Sequence, residues 1–165
     1  MASGRNVREQ ILRAAVEAAT AHGITKLSMG DVARQAGLSR QTLYRHFPSK
    51  DALIAAVVAS ETDSLIAEVV GAGAGLDDPR DSLEAAVLAA LRATRDHPLL
   101  DRLIRTEPEA LLPLLITDGG PVMAQVRAVV EAIVDERVVS LDPVRRRRLA
   151  DIVSRLLVSY AVSAP

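Results

Sequence analysis

Apolar positions in this chain recur at helical spacing almost from end to end, and glycine, proline and small polar residues cut the pattern into segments. Val7, Ile11, Ala14, Ala15 and Ala18 lie on one face of a first helix, and Gly23 is placed to stop it. Ser28 stands as an N-cap with Asp31 three residues on, an approximate capping box that opens a short helix to about Ala36. Ser39 caps a second short helix, Arg40 to about Phe47, which Pro48 closes. Ser49 opens a longer helix with Leu53, Ile54, Val57, Val58, Leu65, Ile66 and Val69, ending near Gly71. Beyond the flexible stretch GAGAGLDD at 71–78, Pro79 starts a helix containing Leu83, Val87, Leu88 and Leu91. Shorter apolar runs follow at 99–104 and 111–116, and Pro121 begins a helix with Val122, Val126, Val129, Val130 and Ile133. Asp142-Pro143 pairs an N-cap with a first-turn proline for the last helix, on which Leu149, Ile152, Val153, Leu156 and Tyr160 are expected to share one face. With no strand pattern and no internal repeat, the chain is expected to be all-α.

The two short helices meet at Ala36-Gly37-Leu38-Ser39, the spacing of a helix-turn-helix. Gly37 supplies the positive φ of the turn, and Val32, Leu38 and Leu43 form the inner face. The second helix is then expected to expose Arg40, Gln41, Thr42, Tyr44, Arg45 and His46, almost all of them hydrogen-bond donors. Arg pairs with guanine edges and Gln with adenine edges in the major groove, whereas Thr, Tyr, His and Lys suit phosphate oxygens. Lys50 falls in the first turn of the next helix, where a cation opposes the helix dipole. A phosphate shared by Lys50 and that helix's N-terminal amides would remove the conflict.

Charge sharpens this picture. The formal net charge is −1, yet residues 1–50 carry eight basic against three acidic side chains, a net of +5. The remainder carries 12 against 18, a net of −6. A basic head on an acidic body suits a polyanion-binding module joined to a part with another task. The 165 residues, 49% hydrophobic and 25% charged, are enough for a folded core. Three aromatics (Tyr44, Phe47 and Tyr160) leave that core to Ala, Val, Leu and Ile.

The absence of cysteine excludes disulfides, cysteine-ligated metal and thiol chemistry. No Gly-rich phosphate loop or Ser/His/Asp cluster is present, so no enzyme, no cofactor and no metal site are expected. His97 and Asp101 are only two ligands. Glu107 and Glu109, flanking Pro108, read as helix-start acids, and Arg145-Arg146-Arg147-Arg148 as a solvated face. The N-terminus lacks the apolar core of a signal peptide and no apolar run approaches ~20 residues, so a cytoplasmic protein without membrane contact is expected.

Residues 28–54, SMGDVARQAGLSRQTLYRHFPSKDALI, resemble the DNA-binding signature of the tetracycline-repressor (TetR) family. The match runs through Asp31-Val32-Ala33, Ala36-Gly37-Leu38-Ser39, Thr42-Leu43-Tyr44-Arg45-His46-Phe47 and Ser49-Lys50-Asp51-Ala52-Leu53, and covers about the first 60 residues. It implies an N-terminal three-helix bundle with a helix-turn-helix at about 28–47, followed by a helical effector-binding and dimerisation domain. The head would occupy 1–50 and the body 51–165, with the 49–70 helix linking them. By position, Arg40 and Gln41 match base-reading residues of the family, with Arg45 a further one. Thr42, Tyr44, His46 and Lys50 match its phosphate contacts, and Gly30 stands where some members carry a base-contacting side chain.

The resemblance further implies a homodimeric regulator, usually a repressor released from a palindromic double-stranded DNA operator by a small molecule. Here the effector pocket would be lined by Leu83, Val87, Leu91, Leu103, Leu112, Leu115, Val126 and Val130, an aliphatic set suited to a largely apolar effector. The dimer surface would include Leu149, Ile152, Val153, Leu156 and Tyr160. Such regulators pair two C-terminal helices from each subunit, and a further helix is expected where this sequence reaches Ser159–Pro165.

Overall fold

Among the described residues, proline marks the start of every helix after residue 78, where its missing N–H would have had no intrahelical partner. The computed structural model describes residues 2–110, 120–138 and 140–163. Eight α-helices follow one another among them: α1 (Ala2–His22), α2 (Met29–Gln35), α3 (Arg40–His46), α4 (Lys50–Gly73), α5 (Pro79–Arg95), α6 (Pro98–Thr106), α7 (Pro121–Arg137) and α8 (Pro143–Ser163). Asp78 and Asp142 cap α5 and α8, their carboxylates accepting the Arg80 amide (2.7 Å) and the Val144 and Arg145 amides (3.0 and 3.1 Å). The run expected at 111–116 lies outside the described residues. No strand occurs among the described residues.

The helices gather into two compact units. The first takes the chain up to Glu61 and adds α6 with the residues just after it; the second takes Thr62–His97 together with α7 and α8. The head expected over 1–50 is therefore extended by the first turns of α4 and by α6. The reason is apolar: Leu53 and Val57 of α4, and Leu99 and Leu103 of α6, are buried. At the centre of this unit Ile11, Ala15, Val32, Leu43, Leu53 and Val57 are at most 1% exposed. α1 packs against both α2 and α6, and α2 against α3.

In the second unit α7 and α8 form the main pair, with Val130, Val134 and Ala150 buried between them and Val126, Leu149, Val153 and Leu157 packed around. Ser154, fully buried, donates its hydroxyl to the Ala150 carbonyl (2.7 Å) and so meets its own polar requirement. Ion pairs Arg127–Asp151 (3.7 Å) and Arg146–Asp135 (3.0 Å) bridge the two helices. Part of the four-arginine run is thus neutralised within the chain, since Arg145 also pairs with Asp142 (3.2 Å). α5 packs on α8, and the buried Ser82 hydroxyl ties it to the Gly73 carbonyl at the end of α4 (2.9 Å).

Leu43 is the single apolar anchor buried by the seven-residue α3. Truncating it removes most of what holds that helix. Leu43→Ala is expected to destabilise the head by about 3 kcal/mol, the usual size for a leucine lost from a packed core, read as a lowered urea midpoint.

Candidate nucleic-acid interface

The turn between α2 and α3 is built almost entirely from backbone bonds. Gly37 adopts φ +65°, and its N–H reaches the Arg34 carbonyl (3.1 Å) while Leu38 N–H reaches Ala33 (2.8 Å). This pair of bonds is a Schellman C-cap, which satisfies carbonyls the helix end would leave bare and calls for a residue free to enter the left-handed region. Two side chains fasten the turn to α1's neighbourhood. Gln10 Nε2 donates to the Ala36 carbonyl (2.6 Å), and Gln35 Nε2 to the Glu17 carboxylate (2.7 Å).

α3 then starts from Ser39, whose Oγ accepts the Thr42 amide (3.1 Å). Ser28 takes the equivalent place before α2 but makes no side-chain cap bond. The expected capping box does not close because the Asp31 carboxylate pairs with Arg34 (2.8 Å) one turn along. Phe47, buried after the last turn of α3, carries the Arg8 guanidinium over its ring at 5.4 Å. The exit of α3 is thereby held by α1 as well.

These anchors leave Arg40, Gln41, Tyr44 and Arg45 exposed on the outer side of α3. Tyr44 is 50% exposed, a large aromatic that the core does not use. Thr42 and His46, expected to be fully exposed, are half-buried, because they lie one helical turn apart beside the inward stripe of Leu43 and Phe47. The Thr42 hydroxyl is shared with Ser39 Oγ (2.9 Å) and accepts from Arg45 (3.3 Å), which draws Arg45 back along its own helix.

Gly30 has a visible consequence: the Arg40 guanidinium lies across it, so that a Cβ there would sit 2.8 Å from Arg40 Cζ. Lys50 Nζ donates to the Thr25 carbonyl (2.6 Å), which offsets part of its conflict with the α4 dipole. The Thr25 amide in turn donates to the Glu107 carboxylate (2.9 Å), a partner 82 residues away that sequence reasoning placed merely at a helix start. No local spacing signals such a contact.

The residues expected to line an effector pocket fall in both units. Leu103 is buried in the first unit, and Val130 in the α7–α8 core. Val126 packs beside that core and Leu91 is half-buried, while Leu83 is 65% exposed and Val87 is exposed as well. Leu112 and Leu115 lie outside the described residues. The residues expected on one dimer face fall instead on two adjacent stripes of α8. Leu149 and Val153 pack inward on α7, whereas Ile152, Leu156 and Tyr160 are 56%, 51% and 64% exposed. A spacing of four residues joins the members of each stripe, and three separates the stripes, so one apolar run serves two surfaces.

Comparison with known proteins decides what carries this head. The sequence pattern of bacterial regulatory proteins of the tetR family matches residues 11–57, and that of the bacterial tetracyclin repressor C-terminal domain matches 78–165. The chain belongs to the TetR family. That family is one of bacterial regulatory proteins. An HTH-type transcriptional regulator of Mycobacterium tuberculosis is 37% identical over 92 residues, which are 56% of this chain and 46% of that protein. The transcriptional activator FasR of Mycolicibacterium smegmatis is 39% identical over 82 residues, 50% of this chain and 37% of FasR. The match thus spans less than half the length of each of these curated relatives.

Among solved structures, the TetR family repressor AlkX of Dietzia sp. superposes with a TM-score of 0.72 at 25% identity, covering 96% of this chain and 84% of AlkX. A TetR-family regulator of Pectobacterium atrosepticum gives 0.75 at 21% identity, over 98% and 83% of the two chains, a likeness of fold. No helix among the described residues is long and apolar enough to cross a membrane. Within the head, the Ser39 cap is the simplest feature to test. Ser39→Ala should cost about 1 kcal/mol of head stability, measured by thermal unfolding, because the Thr42 amide loses its acceptor.

Proposed function

We propose that this TetR-family chain binds a palindromic operator as a homodimer, acts as a repressor, and is released by a small, largely apolar effector. The observation that carries the reading is the outer side of α3, where Arg40, Gln41, Tyr44 and Arg45 are exposed on a helix fixed at both ends. In this reading Arg40, Gln41 and Arg45 meet base edges in the major groove, while Thr42, Tyr44, His46 and Lys50 meet phosphates. Two twofold-related heads then reach half-sites about one helical turn apart. Operator DNA is a cytoplasmic partner, and the reading places the protein there.

Support for a dimer comes from Ile152, Leu156 and Tyr160, an apolar stripe on α8 that the chain's own core leaves uncovered. Leu149 and Val153 drop out of that surface, being engaged with α7. Support for repression and for an apolar effector comes from AlkX, a repressor implicated in the biodegradation of n-alkanes. The exposed or half-buried aliphatic residues Leu83, Val87, Leu91 and Val126 of the second unit suit such a ligand. α4 begins at Lys50 in the first unit and ends in the second, so an effector that prefers one disposition of α4 changes the spacing of the recognition helices. Operator affinity falls by the effector's differential affinity for the two states.

Selection of bound fragments from genomic duplex DNA, followed by anisotropy at physiological salt, tests the DNA reading. One palindromic motif is expected. Arg40→Ala or Gln41→Ala should cost about 1–3 kcal/mol on that motif and relax its sequence at one position, whereas Lys50→Ala should weaken all duplexes alike and lower the salt slope by about 1. Recovery of no motif, with weak and salt-sensitive binding to every duplex, overturns the reading. For the dimer, the double substitution Ile152→Asp and Leu156→Asp is expected to yield monomers in sedimentation. A dimer that survives it moves the interface elsewhere.

A further inference from the structure

Thr25 sits at the exposed tip of the turn between α1 and α2, and both sides of its backbone are held by charged groups. Its N–H donates to the Glu107 carboxylate (2.9 Å), and its carbonyl accepts from Lys50 Nζ (2.6 Å). Ile24 and Leu27 are buried and fix the ends of the turn, which leaves the orientation of the tip to these polar contacts. Gly23 is part of the same arrangement. It has φ +96° and passes directly beneath Glu107, where a Cβ would overlap the carboxylate. The acid itself is placed by the end of α6, its own N–H bonded to the Leu103 carbonyl (3.0 Å).

We propose that Glu107 is a positioning residue for DNA binding, which acts through Thr25 to set the Lys50 ammonium where it meets a phosphate. The proposal rests on the DNA-binding role given above to Lys50. A lysine side chain in solvent samples many rotamers, and fixing it on a phosphate costs conformational entropy. An ammonium already seated on a fixed carbonyl loses less on binding, and it carries three donors, of which the carbonyl takes one. The carbonyl can seat it only if the tip is fixed, and the Glu107 bond to the adjacent N–H fixes it. A carboxylate in a basic head otherwise only repels phosphate. Its engagement with Thr25 gives that charge a use.

Electrostatics and positioning predict opposite results, which makes the idea testable on the full chain with the selected palindromic duplex as probe. Binding is followed by anisotropy for wild type, Glu107→Ala, Glu107→Gln, Lys50→Ala and the Glu107→Ala/Lys50→Ala double variant, with thermal unfolding of each to show that the head is folded. Glu107→Ala is expected to bind roughly three- to tenfold more weakly. Glu107→Gln keeps an acceptor oxygen for the Thr25 N–H and is expected to recover most of the affinity. In the Lys50→Ala background Glu107→Ala should cause little further loss.

Tighter binding by both Glu107 variants would show a repelling charge and overturn the proposal. Equal losses with and without Lys50 would overturn it too, as would an unchanged Glu107→Ala. A wild-type chain with no preferred duplex overturns the DNA reading and this proposal together. A wild-type preference for one duplex, with Glu107→Ala binding that duplex as tightly as wild type, overturns the proposal alone.

Discussion

A seven-residue helix cannot stand by itself in water, because nucleation costs more than so few backbone bonds return. α3 therefore exists only through what is fastened to its ends and beneath its middle. Ser39 supplies the start, Leu43 the buried contact, and Phe47 with Arg8 the exit. Because those three positions carry most of the attachment, Arg40, Gln41, Tyr44 and Arg45 are released for the surface. The exposed donors that define this TetR-family head are in that sense a by-product of how economically the helix is held.

Charge follows the same logic. A net +5 over the first 50 residues favours a polyanion, yet a mobile cloud of cations would give affinity without register. The structure restrains several of these cations: Arg8 lies on Phe47, Arg40 across Gly30, Arg45 against Thr42 and Lys50 on Thr25. Each restraint uses a neutral partner, which directs the cation without cancelling its charge. Glu107, in the same unit, is an anion, and its carboxylate is engaged with a backbone N–H.

The second unit shows one sequence signal serving two surfaces. Apolar residues at 149, 152, 153, 156 and 160 read as a single face, since all fall within a broad arc of the helix. Packing divides the arc, with Leu149 and Val153 turned onto α7 and Ile152, Leu156 and Tyr160 left outside. Periodicity reports which side of a helix is apolar. It does not report how wide a strip the neighbouring helix can cover.

Local physics determined most of the architecture. Helix spacing, the proline starts at 79, 121 and 143, the glycine that turns the chain at residue 37 and the serine cap at 39 were all legible in sequence, because each acts within about one helical turn of itself. The family's DNA-binding signature was legible for the same reason, being a continuous run. Tertiary structure alone decided that α6 joins the head and that Thr42 and His46 sink partly into α3's flank. It alone showed that Glu107 reaches a turn 82 residues upstream. Those contacts depend on which faces meet after the helices pack, and no spacing along a single helix encodes that meeting.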